Sequence, residues 1–411
     1  MLTLRMLPFK SNITKQFFLF LALYLYIFSP SFILSPVAGS RLVLIFSILY
    51  ISYKKEWGWF FGLYRIEVLV WIALLLHSLF FLILYNEAVF FIRYWIIIFE
   101  IYVCCFALIR FAKFNEIDLL QSIFNICVFS SFVSVLAFLN PSFHDFLYSI
   151  LKIDSTSYMQ FEDRGFGFAN DLLFTYPIAL AVGLCILFRT DKLKIIHAII
   201  FLPIFLLAIS INARTALVVM LSYLLIYLFS RFTLKILLKI CIYITAFILL
   251  MFGFYNYGFF TKQLEFASLM FVWIYNFLIG GSNIGHFALL FGDFIFWPND
   301  ITSFFFGSGI DVFQDVYPRS DVGYVIQINY GGVLYLSLIL LMFFYKCVNN
   351  ICLLRKKTFA RDISLVFLLS SLLINFKGYF FTFNPAISIF SLLMLYFYMN
   401  RSSFNKNVKR V

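Results

Sequence analysis

Apolar residues run along this chain in long unbroken blocks, and the charges fall between the blocks. Twelve blocks are long enough to predict membrane-crossing helices, at roughly 16–33, 38–53, 66–85, 90–109, 122–139, 172–188, 195–211, 215–230, 237–254, 324–345, 363–380 and 382–399. A helix needs about 20 apolar residues to cross the hydrocarbon core, and these blocks lack the alternating polarity of membrane β-strands. Arg41, at the start of the second block, makes that one the weakest. Most intervening segments are short. Two are not: 140–171 has 32 residues and 255–323 has 69. Both are rich in aromatic residues and glycine, unlike disordered chain, so both are expected to fold against the membrane surface. Within the second, Phe266–Gly281 and His286–Trp297 read as interfacial or re-entrant helices. Crossings there would leave a cytoplasmic turn at 282–285 without Lys or Arg and would set Asp293 in mid-bilayer.

Composition sharpens the class. The chain is 64% apolar and 12% charged, against about 45–50% and about 25% for a soluble domain. That excludes a water-soluble enzyme, a nucleic-acid-binding domain, a disordered chain and a disulfide scaffold. The net charge of +12 follows from topology. With both termini in the cytoplasm, 23 of the 31 Lys and Arg residues fall inside and 8 outside, while twelve acids fall outside and six inside. This is the positive-inside pattern. It implies contact with membrane lipid and no nucleic-acid partner. Ala38-Gly39-Ser40 could pass for a signal-peptide cleavage site, but the apolar stretch before it is longer than a usual h-region, so a retained first helix is expected. The seven cysteines fall in spans or on the cytoplasmic side, where packing is their expected role.

Candidate chemistry lies at the outer face. Arg164, Arg214, Arg319 and Lys377 emerge there at similar depth, against the positive-inside bias. One reading is that each snorkels or pairs with Glu162, Asp163 or Asp321. The other is a shared anionic ligand: arginine binds phosphate through a planar fork, and several around one site would suit a pyrophosphate. For a general base, His286 is the histidine of the large loop, with Asp321, Asp311, Asp315, Asp293 and Asp300 as alternatives. Asp321 adjoins both Arg319 and a span. The glycines of Phe306-Gly307-Ser308-Gly309 predict a tight turn, and Gly331-Gly332 predicts close helix packing. The outer loops hold no DxD, no HExxH and no paired histidines, so neither a metal nor a cofactor is expected.

The motifs together carry a resemblance. Arg164-Gly165-x-Gly167-x-x-Asn170 enters a span, and Ser210-Ile211-Asn212-Ala213-Arg214-Thr215 joins two spans. Phe306-Gly307-Ser308-Gly309 is followed by Ser320-Asp321-x-Gly323 and then Gly331-Gly332. With the two enlarged loops, the chain resembles the bacterial O-antigen and capsular-polysaccharide repeat-unit polymerases, which are related in architecture to the O-antigen ligases. The resemblance in plan covers nearly the whole chain, and the motifs cover roughly 160–335. One departure is Gly285-His286, where many relatives carry an arginine and where ligases use a histidine.

The resemblance implies an all-α polytopic membrane protein of about 12 transmembrane helices, similar to a C-type membrane glycosyltransferase. It implies one integral membrane domain over 1–411, with periplasmic loops at 140–171 and 255–323. It also implies a bacterial inner-membrane location and transfer of a glycan from undecaprenyl diphosphate at the periplasmic face. Arg164, Asn170, Arg214, Arg319 and Lys377 would bind substrate, and His286 and Asp321 would be catalytic. The implied partners are the undecaprenyl diphosphate-linked oligosaccharide, a chain-length regulator and other assembly proteins. Ligase and flippase are the competing readings. A flippase should carry charges inside its spans, whereas these spans are nearly charge-free, Glu100 being the main exception.

Overall fold

The computed structural model describes residues 13–35, 37–85, 89–152, 165, 167–169, 175–189, 195–213, 215–231, 294–310, 312, 320–353, 358–381 and 384–408. Among these residues the chain is all-helical, with one isolated antiparallel bridge between Phe32 and Leu151. The helices are α1 (Ile13–Phe28), α2 (Gly39–Lys54), α3 (Trp57–Leu63), α4 (Arg65–Tyr85), α5 (Val89–Ala112), α6 (Glu116–Leu139), α7 (Pro141–Ile150), α8 (Tyr176–Arg189), α9 (Ile195–Asn212), α10 (Thr215–Arg231), α11 (Ile301–Phe306), α12 (Gly323–Leu353), α13 (Phe359–Ile374) and α14 (Pro385–Val408). Among the described residues, four stretches are long and apolar enough to cross a membrane: Arg65–Leu84, Phe91–Ala112, Glu116–Leu139 and Gly323–Cys352. Shorter apolar helices include Tyr176–Arg189, Ile200–Asn212 and Pro385–Asn400. The block at 237–254 lies outside the described residues.

The outward faces are apolar. On α4, Leu69, Ile72, Leu76, Phe80 and Ile83 are all exposed, at spacings of three and four residues, while Glu67, Leu74, Ser78 and Phe81 are buried. In water this arrangement would be inverted. A stripe of large exposed aliphatic and aromatic side chains needs an apolar surrounding, which the hydrocarbon of a bilayer supplies.

Several boundaries differ from the apolar blocks for local reasons. α1 stops at Phe28 because Pro30 follows and disfavours helix at Ser29, which turns at φ 43°. Ser29 Oγ then donates to Ser40 Oγ at 2.8 Å and ties the turn to the start of α2. α7 lies in the first long loop. Asn140 caps it, accepting from Phe143 N at 3.1 Å, and Pro141 sits at its first position, where the missing N–H costs nothing. Its far end pairs with the segment after α1 through Ile33 N to Ile150 O at 2.9 Å and Lys152 N to Ser31 O at 2.8 Å.

The described residues divide into two compact units. The first draws on 1–43, 112–280 and 384–389. In it α8 is the centre, with every residue from Tyr176 to Leu187 buried, and it packs against α6, α9 and α10. Arg189 at the end of α8 is paired with Glu116 at the start of α6. The second unit draws on 44–111, 281–383 and 390–411, and α12 is its spine, contacting α4, α11 and α13. There Arg110 Nη2 donates to Glu56 Oε1 at 2.6 Å and its guanidinium lies 4.1 Å from the Trp59 ring. The hydrogen bonds from Arg110 hold the Glu56 carboxyl below its ordinary value.

One ion pair of this unit is buried. Lys346 belongs to α12 and is 5% exposed. It is paired with Glu67, in the first turn of α4 and 2% exposed. Removing one partner of such a pair strands the other charge, at a cost of about 3–5 kcal/mol. Lys346→Met alone is therefore expected to lower the melting temperature in detergent sharply. Adding Glu67→Gln should recover most of the loss. A double variant as unstable as the single would show that the pair contributes through packing alone.

Candidate functional site

The two arginine-bearing motifs of the first unit meet on one face of α6. Ser130, Ser131 and Ser134 are all fully buried there. Ser134 Oγ donates to Gly165 O at 2.6 Å and accepts from Asn212 Nδ2 at 2.9 Å. The Asn212 amide also donates to Ala208 O at 2.7 Å, which fixes its orientation at the end of α9. Ser130 Oγ donates to Gly167 O at 3.2 Å, and Tyr24 of α1 donates to the same carbonyl. Tyr176, at the start of α8, closes the cluster with its hydroxyl 2.9 Å from Ser130 Oγ.

This geometry explains the Gly-x-Gly spacing. A Cβ on Gly165 would collide with the Ser134 carbonyl and Ile211, and one on Gly167 with Tyr176 and Ser130. The backbone lies directly on α6, so only glycine fits at both places. Between the glycines and the next span, Phe168 adopts φ 53° and Ala169 is fully buried. The Arg164 motif is thus pinned from Gly165 to Ala169, and the Arg214 motif is pinned at Asn212, by one serine-lined helix face. Ser134→Ala would leave the Gly165 carbonyl and one Asn212 N–H unbonded in a buried place, worth about 1–3 kcal/mol. The expected result is a lower melting temperature. Unchanged stability would show that this hydroxyl holds neither motif.

The remaining motifs converge within the second unit. α12 is broken at Gly332, where φ is 76° and ψ is 178°. The break leaves carbonyls of the preceding turn without helical partners. Phe306-Gly307-Ser308-Gly309 supplies donors: Ser308 N and Oγ to Asn329 O at 2.9 and 2.8 Å, and Gly309 N to Tyr330 O at 2.9 Å. Gly307 and Gly309 have φ of 88° and 74°. His77 of α4 joins the same loop, its Nε2 lying 3.2 Å from Phe306 O. Gly332 admits the close approach of α11 that the sequence suggests, and it is also where the helix stops and a loop completes it.

The segments that carry Asp321 and Lys377 touch through their backbones. A Cβ on Gly323 would strike Asn375 Oδ1 and would come 2.6 Å from Gly378 O. The start of α12 and the turn after α13 are thus in backbone contact. Below them Asn375 Nδ2 donates to Gln327 Oε1 at 3.0 Å, and Phe380 N donates to Asn375 Oδ1 at 3.2 Å. Tyr324 donates to Leu372 O at 2.8 Å. Ser320, beside Asp321, donates to Phe294 O at 2.7 Å. Lys377 lies in the turn, not in the end of a helix, because α13 closes at Ile374. Arg164, Asn170, Arg214, His286 and Arg319 lie outside the described residues, as do Asp293, Asp311 and Asp315.

Asp300 has a structural task. It caps α11, accepting from Ser303 N at 2.7 Å. Hydrogen bonds from the Ser303 side chain and then its backbone hold the Asp300 carboxyl below its ordinary value, which makes it a poor proton acceptor. Among the described residues no three His, Cys, Asp or Glu side chains gather as metal donors. The residues that sequence reasoning missed are the buried polar ones: Ser130, Ser134, Tyr176, Gln327 and Asn375. Their signal was available, since hydroxyl and amide side chains inside apolar spans commonly join neighbouring helices.

No protein-family model, no curated protein and no solved structure matches this chain.

Proposed function

We propose that this protein polymerises undecaprenyl diphosphate-linked oligosaccharide repeat units at the periplasmic face of a bacterial inner membrane. In this reading the chain makes about twelve crossings and both termini are cytoplasmic. The observation that carries it is the Ser134 hub, where the Arg164-Gly165-x-Gly167 motif and the Asn212-Ala213-Arg214 motif are held by one buried hydroxyl. Two arginine-bearing turns fixed to one helix face suit a site that must neutralise a pyrophosphate.

The chemistry is a glycosyl transfer. A hydroxyl on the incoming repeat unit attacks the anomeric carbon of the growing glycan, and undecaprenyl diphosphate leaves. Arg164, Arg214, Arg319 and Lys377 stabilise charge developing on the leaving phosphate, and Asn170 contacts the glycan. His286 or Asp321 takes the proton from the attacking hydroxyl. No step uses a metal or a cofactor. A chain-length regulator and the other assembly proteins are the expected company of such an enzyme.

The buried Glu67–Lys346 pair bears on the flippase alternative, which needs charge inside the spans. The pair neutralises itself, and the cavity beside it is about 20 Å³. That volume takes one water, not a lipid headgroup.

The test is a gel profile of surface polysaccharide from a strain lacking the gene. Loss of the ladder with core plus one repeat unit remaining supports the polymerase. Core without any repeat, with polymer accumulating on its lipid carrier, means a ligase. Core alone, with lipid-linked units trapped on the cytoplasmic side, means a flippase. An unchanged ladder removes O-antigen synthesis and directs the same assay to capsule.

A further inference from the structure

The Glu67–Lys346 pair is incompletely solvated by protein. Lys346 Nζ bonds Glu67 Oε1 and lies 4.1 Å from the centre of the Tyr64 ring. Glu67 Oε2 is fully enclosed and has no hydrogen-bond partner. The hydroxyl of Tyr102, on α5, is likewise enclosed and without a partner. Glu67 and Tyr102 both line one small, partly open cavity of about 20 Å³, together with Lys346, Ser391 and apolar side chains such as Met342 and Leu395. All of these residues belong to the second unit.

Two unsatisfied polar atoms beside one void point to an occupant. A carboxylate oxygen in an apolar interior is costly unless it accepts a hydrogen bond, and unexplained buried polar atoms commonly mark an ordered water or ion. A water needs roughly 10–15 Å³ of such space and two or more polar partners, and this cavity provides both. A metal cation fits less well, because it would share the space with the Lys346 ammonium and be repelled by it. We propose that Glu67 and Tyr102 bind a single buried water molecule that completes the solvation of the Glu67–Lys346 ion pair. The water donates to Glu67 Oε2 and hydrogen-bonds the Tyr102 hydroxyl. The site then links α4, α5 and α12 through one hydrated charge pair, independently of the function proposed above.

A structure of the full chain in lipid nanodiscs, at a resolution that shows ordered water, tests this directly. Density within hydrogen-bond reach of both Glu67 Oε2 and Tyr102 Oη is expected; an empty cavity overturns the site. Thermal unfolding gives a second test. Tyr102→Phe removes one oxygen and should lower the melting temperature by a few degrees. In a Glu67→Gln background the same change should have clearly less effect, because the bridge is already altered. Equal shifts in the two backgrounds overturn the bridge. Melting in sodium chloride against choline chloride distinguishes the occupants. A sodium-dependent rise in the wild type that vanishes in Glu67→Gln would assign the cavity to a cation and overturn the water.

Discussion

Alanine at Arg164 or at Arg214 should remove long-chain glycan from the cell surface while leaving the protein in the membrane at its normal level. The argument starts from the backbone. Arg164 is bonded to Gly165, whose carbonyl is fixed by Ser134, and Arg214 follows Asn212 by two residues, whose amide is fixed by the same hydroxyl. The hydrogen bonds described above come from Ser134 and Asn212, and alanine at either arginine leaves those groups in place. In the proposed mechanism what it removes is charge near the leaving pyrophosphate. Loss of one preorganised donor to developing charge costs about 100- to 1000-fold in rate. On a polymer assembled by repeated transfer, a loss of that size reads as absence of the ladder. Lysine should restore part of the activity, since it keeps the charge but not the two-pronged fork. Immunoblot of membranes beside the glycan gel makes the distinction. Full-length glycan in both alanine variants would remove the pyrophosphate clamp from the mechanism.

Gly332→Ala should prevent accumulation of folded protein. The residue sits at φ 76° and ψ 178°, a conformation open almost only to glycine. An added Cβ would drive into the backbone of Phe305 and Phe306, which has no rotamer to give. Strain of about 1–3 kcal/mol from the dihedrals adds to a similar term for the collision. The facing residue is under the same constraint, because a Cβ on Gly307 would strike Tyr330 and Gly331. Gly62→Ala is the control: nothing lies within 4 Å of a Cβ there, and the site is in helix α3, where alanine is favoured. Size-exclusion profiles and melting curves in detergent should show Gly332→Ala lost and Gly62→Ala unchanged or slightly raised. Two equal variants would mean that the loop yields around the new methyl group.

The sequence carried the helices well because their signal is bulk apolarity. Eleven of the twelve apolar blocks hold helix, and the exposed stripe of α4 was implicit in its unbroken run. The two glycine motifs were also visible. What they touch was not, because a serine in a span can bond its own preceding turn or a neighbour, and only the packing decides. Ser210 bonds Leu206 of its own helix, whereas Ser134 reaches across to another segment. The burial of Lys346 was not legible, because a long helix can carry its last turns past the apolar block. Gly331-Gly332 admits the neighbouring helix as expected, but the helix break at Gly332 was not legible, because a glycine that admits a helix and one that ends a helix look alike in sequence. The helix α7 was not singled out although Asn140-Pro141 announced it; the surrounding segment was read only as a long loop folded against the membrane surface.

The break in α12 also has a depth. From Gly323 to Gly331 is nine residues, about 13 Å of helix at 1.5 Å per residue. The hydrocarbon core is about 30 Å thick. In the topology proposed above, a loop that hydrogen-bonds Asn329 and Tyr330 engages the helix about two turns below its outer end, where lipid offers its backbone nothing. Such irregular chain survives in a bilayer only when protein surrounds it. Insertions at 306–309 should accordingly be damaging, because they would displace the Ser308 and Gly309 donors from the Asn329 and Tyr330 carbonyls.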